Sequence, residues 1–389
     1  MDKMKILIIN YEYPPLGGGG GVATRDLAIE WAKYAQVDVI TSSFKGLKKI
    51  EKIDNVNVYR VKILLRKSRD AASFISMLSY LPGAFLKGLI LFRKNRYSVI
   101  NTHFVLPSGP VGFLLGKIFK TPNIVSMHGG EIYDPSKKMS PHKSRFWSAI
   151  VRYLFNRADG LVAQSSNTKD NAIKYYNPRH TIHIIPLPFH SPQLQKTSRN
   201  NLNIDNKDFI LVTCGRLVKR KAIDVIIRAL GEIPSDKFKL IIMGDGPEKE
   251  NLQTIVKKFG LEKRVIFLGF VEEAEKYKYL NCADIFTLTS MHEGFGIVYI
   301  EAMFCGLPII CSNEGGQIDF LKHRHNAIII NVGDVNACKA AILLLNKNKK
   351  LYQKLSENNK LKIKDFYAEK IAKSYIKIFK NVISGAEIG

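Results

Sequence analysis

Ala283-Asp-Ile-Phe-Thr-Leu-Thr-Ser290, followed after Met291 and His292 by Glu293-Gly-Phe-Gly-Ile-Val-Tyr-Ile-Glu301, is the stretch whose reading decides the fold. The first segment reads as a short buried strand and the second as a glycine-containing loop that runs into a helix. Strand, turn and helix in that order make half of a parallel βα unit, and open α/β sheets collect ligands at the carboxyl ends of their strands. Gly294 and Gly296 let backbone amides approach a ligand closely, and a helix from Ile297 to Cys305 aims its positive end at an anion such as a diphosphate. Glu293 lies in the loop, and Glu301 lies about one turn into the helix, within reach of polar hydroxyls. A capped helix carrying two solvated glutamates satisfies the same spacing.

Outward from this stretch, short apolar strands alternate with helical segments of roughly 10–20 residues, the pattern of doubly wound parallel sheets, and the pattern runs twice. In the first half the expected strands are Met4–Ile9, Val37–Thr41, Val56–Val61, Ser98–Thr102, Asn123–Met127, Gly160–Gln164 and His183–Ile185. Pro186-Leu-Pro-Phe-His-Ser-Pro192 and the polar run that follows read as a linker, 191–207, between a domain over 1–190 and a second over 208–366. The second half restarts at Phe209–Cys214 and continues through Lys239–Met243, Val265–Leu268, Ile285–Thr289, Ile309–Cys311 and Ala327–Ile330. Helices are expected near 222–231, 248–259, 272–280, 297–305, 334–347 and 350–359. In the tail, Ile371, Tyr375, Ile378, Phe379 and Val382 form one apolar helical stripe that has to be buried on one of the two domains.

The 389 residues, 46% of them apolar, are ample for two cores. Five cysteines, Cys214, Cys282, Cys305, Cys311 and Cys338, are odd in number, scattered and without a CxxC pair, as expected of reduced thiols in a cytoplasmic protein. The apolar run at the N-terminus is too short for a signal-peptide core and reads as a first strand. Pro82, Gly83 and Lys87 interrupt the most apolar window, Phe74–Phe92, so a membrane-spanning helix is not expected there. The net charge of +25 fits nucleic acid, an anionic membrane surface, anionic small substrates or a lysine-rich composition with no specific meaning; no zinc-finger pattern or aromatic RNA-binding strand accompanies it, and nucleic acid is not expected.

Several further turns fall at expected strand ends. Tyr11-Glu-Tyr-Pro-Pro-Leu-Gly-Gly-Gly-Gly-Gly21 precedes a helix beginning near Val22; it suits phosphate or sugar, lacks the Gly-Lys-Ser/Thr of a P-loop, and reads equally as a flexible turn. Cys214-Gly-Arg-Leu-Val-Lys-Arg-Lys221 brings Arg216 and Lys221 to the edge that carries Glu293 and Glu301, where basic side chains would neutralise charge on a leaving diphosphate. In isolation Lys219, Arg220 and Lys221 read as a solvated charge run. Gly244, in Met243-Gly-Asp-Gly-Pro247, and the pair Gly315-Gly316 either admit a ligand or are the tight turns that βα units require. His128, in Ser126-Met-His-Gly-Gly-Glu131, can bond a sugar hydroxyl or shuttle a proton, or else be a structural histidine; His103 and Glu131 are weaker candidates of the same kind. None of these shows zinc-ligand spacing, and no DxD pair offers a metal-bound diphosphate.

Together these segments resemble the retaining glycosyltransferases of family 4, which have the GT-B fold. The likeness rests on Tyr13-Pro-Pro15 with the glycines before Val22, His128-Gly129, Gly215-Arg-Leu217 with Lys221, Gly244-Asp-Gly-Pro247, Glu293-Gly-Phe-Gly-Ile-Val298 with Glu301, and Gly315-Gly316. The resemblance implies an α/β architecture of two Rossmann-like, doubly wound parallel-sheet domains facing a cleft, the C-terminal helix, 367–389, packing back on the first. It further implies a metal-independent enzyme without a cofactor, taking a UDP- or GDP-sugar as donor and a glycan or lipid-linked acceptor, in cell-surface polysaccharide or lipopolysaccharide biosynthesis. By the same resemblance Arg216 and Lys221 hold the donor diphosphate, Glu301 binds the ribose and Glu293 contacts the transferred sugar. The segment Phe295, Gly296, Ile297 and Val298 lines the sugar and phosphates with Gly244, Gly315 and Gly316, Gly20 and Gly21 close over them, and His128 sits beside the reacting sugar. The chain departs from the family in its longer first glycine loop, in Ala222 where glycine commonly follows the lysine, and in Ile185-Pro-Leu-Pro-Phe-His190 at the hinge.

The first half also interleaves basic with apolar residues: Lys62, Arg66, Lys67 and Arg69 before Phe74–Phe92, Arg93, Lys94 and Arg96 after it, and Lys137, Lys138, Lys143 and Arg145 beside Phe146 and Trp147. Such surfaces dock on anionic lipid, which would place the protein at the inner face of the plasma membrane; core helices with solvated lysines give the same pattern. Two other classes compete with a sugar transferase. A nicotinamide-dependent oxidoreductase requires a GxGxxG turn and a ribose-binding acid that are not clearly present. A non-catalytic membrane-surface binding protein on the same fold would have no use for Glu293, Glu301, Arg216 and Lys221.

Overall fold

The computed structural model describes residues 3–66, 73–137, 139–193 and 197–385. Lys67, Arg69 and Lys138 of the basic segments, and 386–389 of the expected last helix, lie outside the described residues. The chain forms two units, Met1–His190 with Phe366–Gly389, and Ser191–Asp365.

The first unit runs β1 (Lys5–Asn10), α1 (Gly19–Ala32), β2 (Gln36–Ser42), β3 (Ile50–Ile53), β4 (Val56–Val61), α2 (Phe74–Lys94), β5 (Val99–His103), α3 (Gly109–Phe119), β6 (Asn123–Met127), α4 (Arg145–Phe155), β7 (Gly160–Ala163), α5 (Ser166–Tyr176) and β8 (Ile182–Ile184). Its eight strands are ordered β3-β4-β2-β1-β5-β6-β7-β8, all parallel except the edge strand β3, which pairs antiparallel with β4. Right-handed crossovers send α1 to one face of such a sheet and the helices after β4 to the other. The alternation along β1 shows the consequence: Ile6 and Ile8 pack with α1, while Leu7 and Ile9 pack with α2 and α3.

The second unit runs β9 (Phe209–Cys214), α6 (Ile223–Gly231), β10 (Phe238–Met243), α7 (Lys249–Lys258), β11 (Val265–Gly269), α8 (Glu273–Cys282), β12 (Ile285–Leu288), α9 (Ile297–Phe304), β13 (Ile309–Ser312), β14 (Ala327–Ile330), α10 (Val335–Lys347) and α11 (Lys349–Lys362). Six parallel strands are ordered β11-β10-β9-β12-β13-β14. The main core joins β9 and β10 to α6, α7, α10 and α11, and the same handedness argument sets α8 and α9 on the opposite face.

The last helix, α12 (Ala368–Ser384), belongs to the first unit. Trp31 of α1 stacks edge-on to Tyr375 at 5.5 Å, lies 5.1 Å from Phe379, and donates its indole N–H to the Ala372 carbonyl at 3.3 Å. Phe189 and Phe366–Ala368 exchange backbone bonds of 2.7 and 2.9 Å, so the returning chain is stitched to the end of the first unit before the helix begins.

Two sequence expectations change, and two features go beyond them. The polar segment read as a linker is partly structured: Arg199 bonds the carbonyls of Cys282 and Asp208 and pairs with Asp284 at 2.8 Å, which fastens 197–207 to the second unit. Helix α1 starts at Gly19 rather than near Val22, taking the end of the glycine run into its first turn. Pro82, Gly83 and Lys87 interrupt the apolar run but not the helix: α2 is one helix of 21 residues, by length and composition long and apolar enough to cross a membrane. Tyr80, Ala84, Gly88 and Leu91 are nevertheless buried against the first unit's sheet and α3, so one stripe of α2 is core. Edge strand β3 escapes hydrophobic patterning because its residues are exposed or half-buried.

Candidate active site

In the second unit the expected residues gather at the carboxyl edge of the sheet. The turn after β9 is laced to the turn after β10 by Gly215 N–H to Met243 O and Leu217 N–H to Asp245 O, both 2.9 Å. A Cβ on Gly244 would stand 2.0 Å from the Gly215 carbonyl oxygen, at a φ of +139°. Gly315 is constrained likewise: φ is +122°, and a Cβ would meet the Glu293 backbone at 2.5 and 2.7 Å. Adjacent backbone is therefore enough to demand glycine at both positions. The Gly316 amide donates to the Glu293 carbonyl at 2.8 Å, which ties the 313–316 turn to the loop carrying Glu293.

Glu293 is buried, and its Oε1 accepts from Lys221 Nζ at 2.5 Å, Ser290 Oγ at 2.8 Å and Arg220 at 3.3 Å. Burial alone would raise its pKa; Lys221, Arg220 and the hydrogen bonds override that and hold it down at about 2. Arg220 also bonds the His292 carbonyl at 3.0 Å, and its own carbonyl accepts from Met291 N–H, which fixes the loop from two sides. Lys219–Lys221 is a short 3-10 turn with Lys221 buried, so the run Lys219-Arg220-Lys221 is not simply solvated. It ends on Ala222 at φ +46°, the conformation that explains why glycine suits this place. Arg216 is exposed at the same edge, and its side chain has no hydrogen bond or ion pair among the described residues.

Helix α9 opens on Gly296, with the Ile297 and Val298 amides ahead of its first intrahelical bond. The Phe295 ring turns inward against Phe320 at 5.0 Å, so what Phe295 offers the edge is backbone. Glu301, the fifth residue of α9, is buried and accepts from Lys276 Nζ of α8 at 2.6 Å through Oε1, while Oε2 has no hydrogen-bond partner among the described residues. Burial pushes the Glu301 carboxyl above its ordinary value, with Lys276 opposing. Neither Ser290 nor Lys276 was singled out by motif, and Arg220 was visible only as part of a charge run.

In the first unit His128 follows β6 and His103 ends β5. Asn101 donates to the Ile124 carbonyl at 3.2 Å and to Ser126 Oγ at 2.9 Å, which turns its Oδ1 toward His103 Nε2 at 2.7 Å. This network assigns the proton of His103 to Nε2 and leaves Nδ1 bare to accept from His128 Nε2–H at 2.9 Å. Thr24 completes the set, accepting from Asn10 and donating to the Gly20 carbonyl at 2.8 Å. His128 Nδ1 is buried without a hydrogen bond among the described residues, and a Cβ on Gly20 would come 3.2 Å from it and 2.5 Å from the Phe104 ring. Phe104 stacks on His128 with ring centroids 4.3 Å apart. Burial lowers the pKa of His128 to about 3 and that of His103 well below the ordinary value, so both are neutral at pH 7. Glu131 accepts from the His128 amide at 2.7 Å, and burial raises it to about 7.

Two parallel-sheet α/β units, the second with a basic, carboxylate-bearing sheet edge, have the architecture of the GT-B class, and the family matches make the chain a glycosyltransferase, a transferase of EC 2.4. The chain belongs to the GT-B glycosyltransferases of the family 4 type: residues 17–190 match the family described as Glycosyltransferase Family 4, and residues 195–362 match Glycosyl transferases group 1. It is 30% identical over 346 residues to an uncharacterized glycosyltransferase, MJ1607, of Methanocaldococcus jannaschii, with 84% of each chain covered. It is 33% identical over 183 residues to the lipopolysaccharide core biosynthesis glycosyltransferase LpsD of Rhizobium meliloti, covering 47% of this chain and 52% of that one. The Anabaena protein HepE, whose crystal structure is a complex with UDP-glucose, shares the fold at a TM-score of 0.77 and 20% identity, covering 97% of this chain and 100% of that one.

Proposed function

We propose that this chain is a retaining, metal-independent glycosyltransferase that moves a sugar from a UDP- or GDP-sugar to a glycan or lipid-linked acceptor in cell-surface polysaccharide or lipopolysaccharide biosynthesis. The observation that carries the reading is the group Arg216, Arg220, Lys221, Glu293 and Glu301 at one sheet edge, with the Arg216 side chain uncommitted and the first amides of α9 beside it. Arg216 and Lys221 hold the diphosphate, Glu301 the ribose and Glu293 the transferred sugar; Gly20, Gly21 and His128 are the first unit's sugar-contacting residues. The acceptor oxygen attacks the anomeric carbon from the face that the phosphate leaves. The carbon–phosphate-oxygen bond breaks with its electron pair going to the phosphate, and the acceptor's hydroxyl proton passes to that departing oxygen. Charge on the leaving group is neutralised by arginine and lysine, so no metal is invoked. Glu293, held at about 2, serves as a fixed anion rather than as a proton donor, and His128 is a neutral acceptor. LpsD and the UDP-glucose complex of HepE support the acceptor class and the donor class respectively. Thermal-shift and hydrolysis measurements against UDP-, GDP- and ADP-sugars test this: stabilisation and turnover with one of the first two are expected, and response to none overturns it. Anomeric configuration of the product, read by NMR, tests retention.

A peripheral site on an anionic membrane, at the inner face of the plasma membrane, is the second part of the proposal. Helices α2, α3 and α4 carry Lys87, Arg93, Lys94, Lys117, Arg145 and Arg152 and no acidic residue. Leu86, Ile118 and Phe146 are among their more than half-exposed apolar side chains. Basic heads among exposed apolar bodies fit an anionic bilayer.

A further inference from the structure

Lys276 has no place in the roles assigned above, and its position is costly. It is the fourth residue of α8, near the helix's positive end, where a cation is disfavoured, and it is mostly buried. The hydrogen-bonded partner in that placement is Glu301: Lys276 Nζ donates to Glu301 Oε1 at 2.6 Å, joining α8 to α9, while the Tyr277 ring lies 5.1 Å from the ammonium. A carboxylate offers about four acceptor directions, and Lys276 takes one of them. Among the described residues Oε2 takes part in no hydrogen bond, which leaves buried acceptor capacity unspent at the sheet edge where the nucleotide is proposed to sit. A glutamate with three side-chain torsions holds one orientation only if something pins it, and a buried lysine partner does so.

We infer that Lys276 is a positioning residue for the nucleotide: it pins the Glu301 carboxylate so that its remaining lone pairs receive a ribose hydroxyl. The inference rests on the sugar-nucleotide reading of Glu301 and deepens it, because it makes discrimination for the ribose depend on a residue that itself contacts no hydroxyl. Burial acts to lower the Lys276 pKa, but Glu301 outweighs it and keeps the ammonium charged. Lys276 therefore remains a cationic anchor at neutral pH.

The test measures dissociation constants of UDP and GDP and of their 2′-deoxy and 3′-deoxy forms, for the full chain and for Lys276→Met, Lys276→Gln and Lys276→Arg. The unsubstituted chain is expected to favour the ribonucleotide over at least one deoxy form by about 10-fold or more, as for a hydrogen bond to a charged group. Lys276→Met should bring that ratio to within about 2-fold, and Lys276→Arg should restore most of it. Lys276→Gln, which keeps a donor without the charge, should fall between them, and it stands in for the methionine variant if that one does not fold. An unchanged ratio in folded Met or Gln variants overturns the inference while leaving the donor reading intact. Tighter binding of the ribonucleotide by those variants also overturns it, because Lys276 would then occupy the ribose's place. Failure of the unsubstituted chain to bind UDP or GDP overturns both.

Discussion

Lys221 and Glu293 form a preassembled charge pair, and the chemistry proposed for the site makes Lys221 matter most when charge builds on the leaving phosphate. Lys221→Ala is expected to lower kcat by about 100-fold or more with a much smaller change in donor affinity. Steady-state kinetics combined with nucleotide binding separates the two, and unchanged turnover removes Lys221 from the mechanism. The same pair sets an acid limit. The folded pKa of Glu293, about 2, lies below the ordinary value of 4.5, so the stability it contributes is present above 4.5 and is lost as pH falls through 2. Glu293→Gln should therefore unfold in urea with a shallower pH dependence between 4.5 and 2 than the unsubstituted chain, the difference amounting to roughly 3 kcal/mol at most. Equal slopes would show that the pair is not coupled to folding. At this scale the glutamates, Lys221 and His128 were legible because they sit at fixed offsets from strand ends. Lys276 and Ser290 were not: Lys276 takes its meaning from a contact to Glu301 made across elements, 25 residues away, and Ser290 from a contact to Glu293 within the loop, 3 residues away, and neither has a motif of its own.

Among the elements, α12 tests how the first unit is completed. Its stripe Ile371, Tyr375, Ile378 and Phe379 covers Trp31 and the strands behind it, and Phe379 is fully buried. Phe379→Ala should cost about 3–5 kcal/mol by the usual cavity and transfer terms, read as a lowered urea midpoint for the first unit. A loss below about 1 kcal/mol would mean that the helix is not part of the folded unit in solution. The stripe was visible in sequence as a helical period, which specifies a face and not its partner; the first unit as that partner was implied only by the family resemblance. Strand alternation and βα order were legible for the same local reason. Helix α2 runs through Pro82 although proline is a strong local breaker; the buried stripe through Tyr80, Ala84 and Gly88 holds the helix on both sides of it. The glycine turns told less than they promised, since Gly244 and Gly315 are already demanded by neighbouring backbone.

For the molecule as a whole the net charge is +25, and the basic residues on α2, α3 and α4, with no acidic residue among them, fit a surface better than a small ligand. A donor diphosphate engages a few cations at the second unit's sheet edge, whereas the six basic residues of these three helices stand among exposed apolar side chains of the first unit. If that face docks on lipid, affinity has two parts: a Coulomb part of about 1 kcal/mol per basic residue near an anionic surface, screened over a Debye length of about 10 Å at 0.1 M salt, and an apolar part that salt does not remove. The protein should sediment with phosphatidylglycerol-containing vesicles at low salt and fail to do so with pure phosphatidylcholine. Raising the salt to about 0.5 M should weaken binding without abolishing it. Leu86→Ser together with Phe146→Ser should remove the salt-resistant part while donor hydrolysis, which belongs to the other unit's sheet edge, stays unchanged. Binding that disappears entirely with salt would reduce the face to a charge patch, and absence of binding to anionic vesicles at low salt would overturn the membrane reading while leaving the transferase intact.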